Sequence, residues 1–153
     1  MRLDCWMSES LKTLMKETCE GPSEKGSHYT SVDPDAGLFG TLRALTAQRV
    51  SEPQKMSKAP IVSHVYHTCY YLKVMNSQFT NKPMKYDDDD SWNVIEVNEE
   101  QWHEILEEFK REYDTFIEKI EVEEEWGEEK VQSALATLAH SAYHLGSLRQ
   151  MVC

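Results

Sequence analysis

Four of the six histidines are grouped in a way that could do chemistry: His64 and His67 in one stretch, His140 and His144 in another. Neither stretch carries formal charge, the first from Pro60 to Leu72 and the second from Val131 to Leu148 when histidine is neutral. On a helix, residues four apart stand about 5 to 6 Å apart on one face, so His140 and His144 can chelate one ion. A third imidazole from the other stretch would complete a site with coordination positions left open for water or substrate. A lone buried histidine is ordinarily a core residue bonded to a carbonyl, whereas two pairs on two uncharged segments point to a metal. Spacing leaves the choice between His64 and His67 open. No glutamate stands between His140 and His144, so the H-E-x-x-H hydrolase motif is not present.

Three neutral imidazoles leave a divalent ion its full charge, so a water or thiol held there would lose its proton more easily near neutral pH. Imidazole sites accept zinc, nickel, copper or iron, with cellular supply deciding. Tyr66, Tyr70, Tyr71 and Tyr143 lie close to the histidines and could donate protons or simply pack. Cys69, two residues from His67, should point away from it as a small core residue. Trp92 could close over a cleft or anchor its loop. Arg149 could meet an anionic group or complement a helix dipole.

The elements that must position these residues are helical. Leu3 to Cys19 reads as a helix stopped by Gly21-Pro22, followed by a turn-rich linker to Pro34. Gly37 to Val50 reads as one shorter helix with Asp35 as its N-cap. Ser57 is placed to cap the next helix, with Pro60 in its first turn and a seam of Ile61, Val65, Thr68, Leu72, Met75 and Phe79. Trp102, Ile105, Leu106, Phe109, Tyr113, Phe116, Ile117 and Ile120 recur at helical steps, and Asn98 with Gln101 forms a capping-box start. The last helix runs from after Trp126-Gly127 to about Met151 and, being uncharged over most of its length, should be interior. Its apolar seam would be Val131, Leu135, Leu138, Ala142 and Leu145, with the two histidines opposite. The expectation is an all-α helix bundle of four long helices and one additional short one, a single domain over residues 1–153.

Lys and Arg number 16 against 27 Asp and Glu, a formal charge of -11, which repels phosphate backbones and anionic lipid surfaces and so argues against nucleic acid and membrane partners. Much of the acid lies between Asp87 and Glu129, where 19 acidic residues face 3 basic ones, as expected of a solvated helix face. Asp87 to Asp90 lack the alternating spacing and turn glycine of an EF-hand loop. Four cysteines without a C-x-x-C, no leader-like start and no run of eighteen apolar residues fit a reducing cytoplasmic setting.

Two segments carry a resemblance. Ser63-His64-Val65-Tyr66-His67-Thr68-Cys69-Tyr70-Tyr71-Leu72 and Leu138-Ala139-His140-Ser141-Ala142-Tyr143-His144-Leu145-Gly146 resemble the two metal-binding signatures of the DinB-like superfamily of DinB/YfiT-like metalloenzymes. Asp35 to Leu42, Ser91 to Val94 and Val97 to Trp102 are similar to flanking segments of one branch, so the likeness reaches from about Asp35 to Gln150. It implies an up-down-down-up four-helix bundle, often a homodimer, holding a divalent ion on one histidine of the second long helix and two of the last. Carried onto this chain, the ligands are His67, His140 and His144, with His64 as a supporting partner and zinc or nickel as the ion. Ser147 stands after Gly146 where many members have glutamine. The resemblance further implies kinship with metal-dependent transferases and isomerases that use small-molecule thiols. Joined to an ion that can activate a thiol or a water, it sets the expectation of a metal-dependent transferase or hydrolase acting on a small-molecule thiol and an electrophile, the alternative being a non-catalytic metal-binding or stress-associated dimer.

Overall fold

The computed structural model describes residues 5–55 and 57–153. Among these the chain is all-helical, with seven helices of which four are long: α1 (Cys5–Glu20), α2 (Leu38–Leu42), α3 (Ala47–Ser51), α4 (Ile61–Ser77), α5 (Asp88–Ser91), α6 (Glu99–Val122) and α7 (Glu128–Val152). The described residues contain no strand, only an isolated bridge between Ser23 and Gly26. The expected helix start at Leu3 lies outside the described residues. Helix α4 packs against both α6 and α7, and α1 covers the other side of α6 and α7. The core between them is built from large side chains such as Met15, Leu42, Ile61, Leu72, Trp102, Phe109, Phe116, Ile120 and Leu148.

Helix α6 follows its sequence pattern closely. The Asn98 side chain accepts from the Gln101 N–H at 2.9 Å and the Gln101 side chain accepts from the Asn98 N–H at 3.0 Å, the capping box read from the residue types. Trp102, Phe109, Tyr113, Phe116 and Ile120 are the buried face. Its other flanks tie down neighbours: Lys73 of α4 pairs with Glu108 at 2.6 Å, and Lys12 of α1 with Glu121 at 2.9 Å.

Three expectations are corrected. The stretch from Gly37 to Val50 is two helices, not one, and Gly37 rather than Asp35 stands at the first N-cap. The break falls where the Leu45 carbonyl accepts the Trp102 indole N–H at 2.9 Å and the Thr46 hydroxyl caps α3 through the Arg49 N–H at 3.2 Å. With α5 also formed, the short helices are three instead of one. Ser57 does not cap α4, whose N-cap is Pro60; its hydroxyl accepts from the Ala59 N–H and faces His64. Finally, α7 is not interior throughout: Leu135 is 49% and Tyr143 72% exposed. Its buried stripe is Ala134, Thr137, Ser141, His144, Leu145 and Leu148, so the inward face is turned away from the expected Leu135 seam and carries His144. Ala134, Thr137 and Ser141 on that stripe are small, so apolar periodicity alone does not register it as the inward face.

Between α1 and α2 the chain makes a close loop. Gly21 has a φ of +105°, a left-handed conformation that costs glycine little, and a Cβ there would strike the Pro34 carbonyl. The loop is anchored by the buried Glu17 carboxylate, which accepts from the Ser27 and Thr30 hydroxyls and from the backbone N–H groups of His28, Tyr29 and Thr30, all between 2.7 and 3.0 Å.

Candidate metal centre

Where α4 and α7 meet, three imidazoles converge. His67 lies on the second turn of α4, and His140 and His144 lie one turn apart on α7. One ring nitrogen from each can be chosen so that all three lie within 4.8 Å of one another. The ring centroids form a near-even triangle, 4.8 Å from His67 to His140, 4.9 Å from His67 to His144 and 4.5 Å from His140 to His144. Nε2 of His67 and Nε2 of His140 are 2.9 Å apart. Two nitrogens each about 2.05 Å from a shared ion would have that separation at an angle of about 90°, so the donor set fits a divalent cation. His67 and His144 are buried and His140 is half-buried.

The rings are held on every side. The Trp92 indole stacks on His67 with centroids 3.9 Å apart and meets His64 edge-on at 5.2 Å. Trp92 thus closes over the histidines, the alternative to anchoring alone. The Ser63 hydroxyl of α4, donating to the Val94 carbonyl at 2.6 Å, pins the segment just after it. The Tyr71 ring stacks on His140 at 4.1 Å. Tyr86, whose hydroxyl donates to Asp88 Oδ1 at 2.7 Å, closes the cluster with its ring against Tyr70 and Tyr71, both at 5.8 Å. Cys69 is buried, a free thiol outside the histidine group.

Burial sets the protonation state. It pushes His67 down to about 4, Asp88 partly opposing and His64 adding to the shift. Burial, reinforced by His67, takes His140 down to about 4, and burial with the three neighbouring imidazoles takes His144 down to about 3. His64 is lowered by burial as well. At neutral pH all four rings are therefore uncharged and each has a lone pair to offer.

Two hydroxyls, of Ser91 and Ser57, were not assigned to the site from the sequence. Nδ1 of His67 lies 2.9 Å from the hydroxyl of Ser91, which ends α5, and Nδ1 of His144 lies 3.2 Å from Nδ1 of His64, whose Nε2 is 3.0 Å from the Ser57 hydroxyl. The signal for Ser91 was present: Asp87 followed three residues later by Asp90 is a helix N-cap pattern, and the Asp87 side chain does accept the Asp90 N–H at 3.1 Å. Asp87 to Asp90 thus build the short helix that carries Ser91 to His67. His103 is exposed on α6, and His28 lies in the Glu17 loop.

No protein-family model, no curated protein and no solved structure matches the chain. Among the described residues no helix is long and apolar enough to cross a membrane.

Proposed function

We propose that this chain is a metal-binding protein of the DinB/YfiT-like kind, an up-down-down-up four-helix bundle that holds a divalent cation, zinc or nickel, on His67, His140 and His144. One observation carries the reading: three uncharged imidazoles from two helices offer nitrogens within 4.8 Å of one another. A core that needed only to be filled would not place three depressed-pKa rings edge to edge, because each buried polar ring costs stability unless it is satisfied. An ion with three protein ligands supplies Lewis acidity at its open positions. The activity proposed is transfer or hydrolysis, with a small-molecule thiol or a water as nucleophile and an electrophilic small molecule as its partner. Of the chain's own groups, Trp92 and Tyr71 hold His67 and His140 in place by stacking, and the Tyr86 ring meets His67 edge-on at 6.5 Å.

The setting proposed is the cytoplasm, in keeping with four free cysteines, and the assembly proposed is a homodimer through the exposed side of α7. That side is uncharged from Val131 to Leu148 in a chain of net charge -11, so a second copy meets less repulsion there than on acid-rich α6.

The test is elemental analysis of the purified chain followed by a screen of thiol-plus-electrophile and hydrolysis substrates. The expected result is close to one zinc or nickel per chain, with turnover lost on chelation and in His144→Ala. Metal without turnover would favour the non-catalytic binding protein, and no metal in any preparation would end the reading.

A further inference from the structure

His64 stands outside the three-imidazole group, yet it is built into it. Its Nδ1 faces Nδ1 of His144 at 3.2 Å, and its Nε2 faces the Ser57 hydroxyl oxygen at 3.0 Å. Each neutral imidazole carries one hydrogen, and two facing Nδ1 atoms share one between them. Two arrangements follow. With the shared hydrogen on His64, the hydrogen of His144 is on Nε2 and that ring has no lone pair left for an ion. With the shared hydrogen on His144, Nε2 of His144 is bare, and His64, its own hydrogen on Nε2, donates to Ser57. The Ser57 hydroxyl serves both arrangements, donating to a bare Nε2 of His64 in the first and accepting from its Nε2–H in the second, while its oxygen also accepts from the Ala59 N–H at 3.2 Å.

We propose that His64 is a positioning residue: it accepts the Nδ1 hydrogen of His144, passes its own hydrogen bond to Ser57, and so holds His144 in the tautomer that can ligate through Nε2. The inference rests on the three-histidine reading and goes beyond it, because it assigns a role to a fourth histidine and to the loop before α4. Metal ligands almost always donate their second ring N–H to a fixed acceptor, which sets tautomer and orientation. Here the acceptor is another imidazole, kept from turning by the Trp92 ring, set perpendicular to it with centroids 5.2 Å apart, and by Ser57. Ser91 does the same for His67 from α5, so one ion would tie together the loop before α4 and the short helix α5. His140 differs from both, its Nδ1 being buried with no hydrogen-bond partner.

The experiment uses the full chain with Zn²⁺ and Co²⁺ as probes. His64→Leu removes the acceptor while keeping bulk, and is expected to weaken zinc binding by about 10- to 100-fold. His64→Asn places an oxygen near the position of Nδ1 and is expected to restore most of that loss. Nitrogen-15 correlation spectra of the zinc-loaded wild type and of His64→Asn should show the His144 hydrogen on Nδ1, and the Co²⁺ absorption spectrum should change in His64→Leu alone. Zinc binding by His64→Leu as tight as wild type, while His140→Ala loses it, overturns this proposal and leaves the three-histidine site standing. A hydrogen on Nε2 of His144 in the zinc-loaded protein, or a loss that His64→Asn does not recover, also overturns it. A wild-type chain that takes up neither metal ends both.

Discussion

The Ser91 hydroxyl oxygen accepts the Nδ1 hydrogen of His67 at 2.9 Å, and its direction is fixed because the hydrogen of Ser91 is given to the Asp88 carbonyl at 2.7 Å. A hydroxyl that has already donated can only accept from the imidazole, so His67 must carry its hydrogen on Nδ1 and present the Nε2 lone pair toward His140. One short helix turn thereby decides which nitrogen of His67 is available.

Ser91→Ala is the direct check. Removing the acceptor frees the ring to flip or change tautomer, and zinc affinity measured by chelator competition should fall by about 10-fold or more. The Trp92 stack is untouched by this change, so the helical circular-dichroism signal should stay as in wild type. Unchanged affinity would show that stacking alone fixes the ring.

The depressed histidines separate two pH responses. For free imidazole, protons compete with metal below its ordinary value of 6.5, whereas His67 and His140 titrate at about 4 and His144 at about 3. Zinc affinity should therefore hold nearly level from neutral pH down to about 5 and collapse below about 4. The stability of the metal-free protein moves differently. Between 6.5 and about 4 the unfolded chain takes up protons that the folded one refuses, so these histidines favour folding above 6.5, and that advantage is lost as pH falls toward 4. Calorimetric zinc titrations and denaturant melts across this range would check both limbs; an affinity that already fades at pH 6.5 would mean solvent-like imidazoles.

Much of the architecture was legible because it follows from periodicity and local capping. The long helices show apolar residues at 3- and 4-residue steps, and Asn98 with Gln101 marks the start of α6 correctly. What escaped depends on contacts between distant residues. The division of Gly37 to Val50 turns on a carbonyl of Leu45 claimed by Trp102, 57 residues away in sequence. The inward face of α7 was misread because its buried stripe includes Ala134, Thr137 and Ser141, small residues that carry little hydrophobic signal. At the site, the i, i+4 pair on α7 is a local pattern and was found as such. Spacing could not choose between His64 and His67, because which of them groups with His140 and His144 depends on how α4 lies against α7.

Glu17 offers a test away from the histidine cluster. Burial alone would raise its carboxyl, but the Ser27 hydroxyl and the N–H groups of Tyr29, His28 and Thr30 outweigh that and hold it far below the usual carboxylate value of 4.5. A group depressed in the folded state contributes stability above 4.5 that is lost as pH falls below it. Glu17→Gln should cost about 3 kcal/mol at neutral pH and should flatten the acid limb of the denaturation profile. Limited proteolysis would be expected to cut the loop between Gly21 and Pro34 first in that variant. A variant as acid-sensitive as wild type would assign the limb to other carboxylates.

The proposed homodimer turns on the outer side of α7. Leu135, Ala139 and Tyr143 follow one another at four-residue steps and all three are exposed, forming a ridge whose Leu135 also lines an apolar groove with Met7, Leu14, Val131 and Leu138. An uncharged ridge next to an apolar groove on a chain this acidic is the place where a second copy can dock with least repulsion, ridge of one into groove of the other. Leu135→Glu puts a carboxylate on that ridge without touching the buried stripe of Ala134, Thr137, Ser141 and His144. Light scattering should report twice the 17.8 kDa chain mass for wild type and the single chain mass for the variant, while zinc uptake stays the same because the three histidines proposed as ligands come from one chain. A wild-type protein that is monomeric at tens of micromolar would remove the dimer from the proposal without disturbing the metal site.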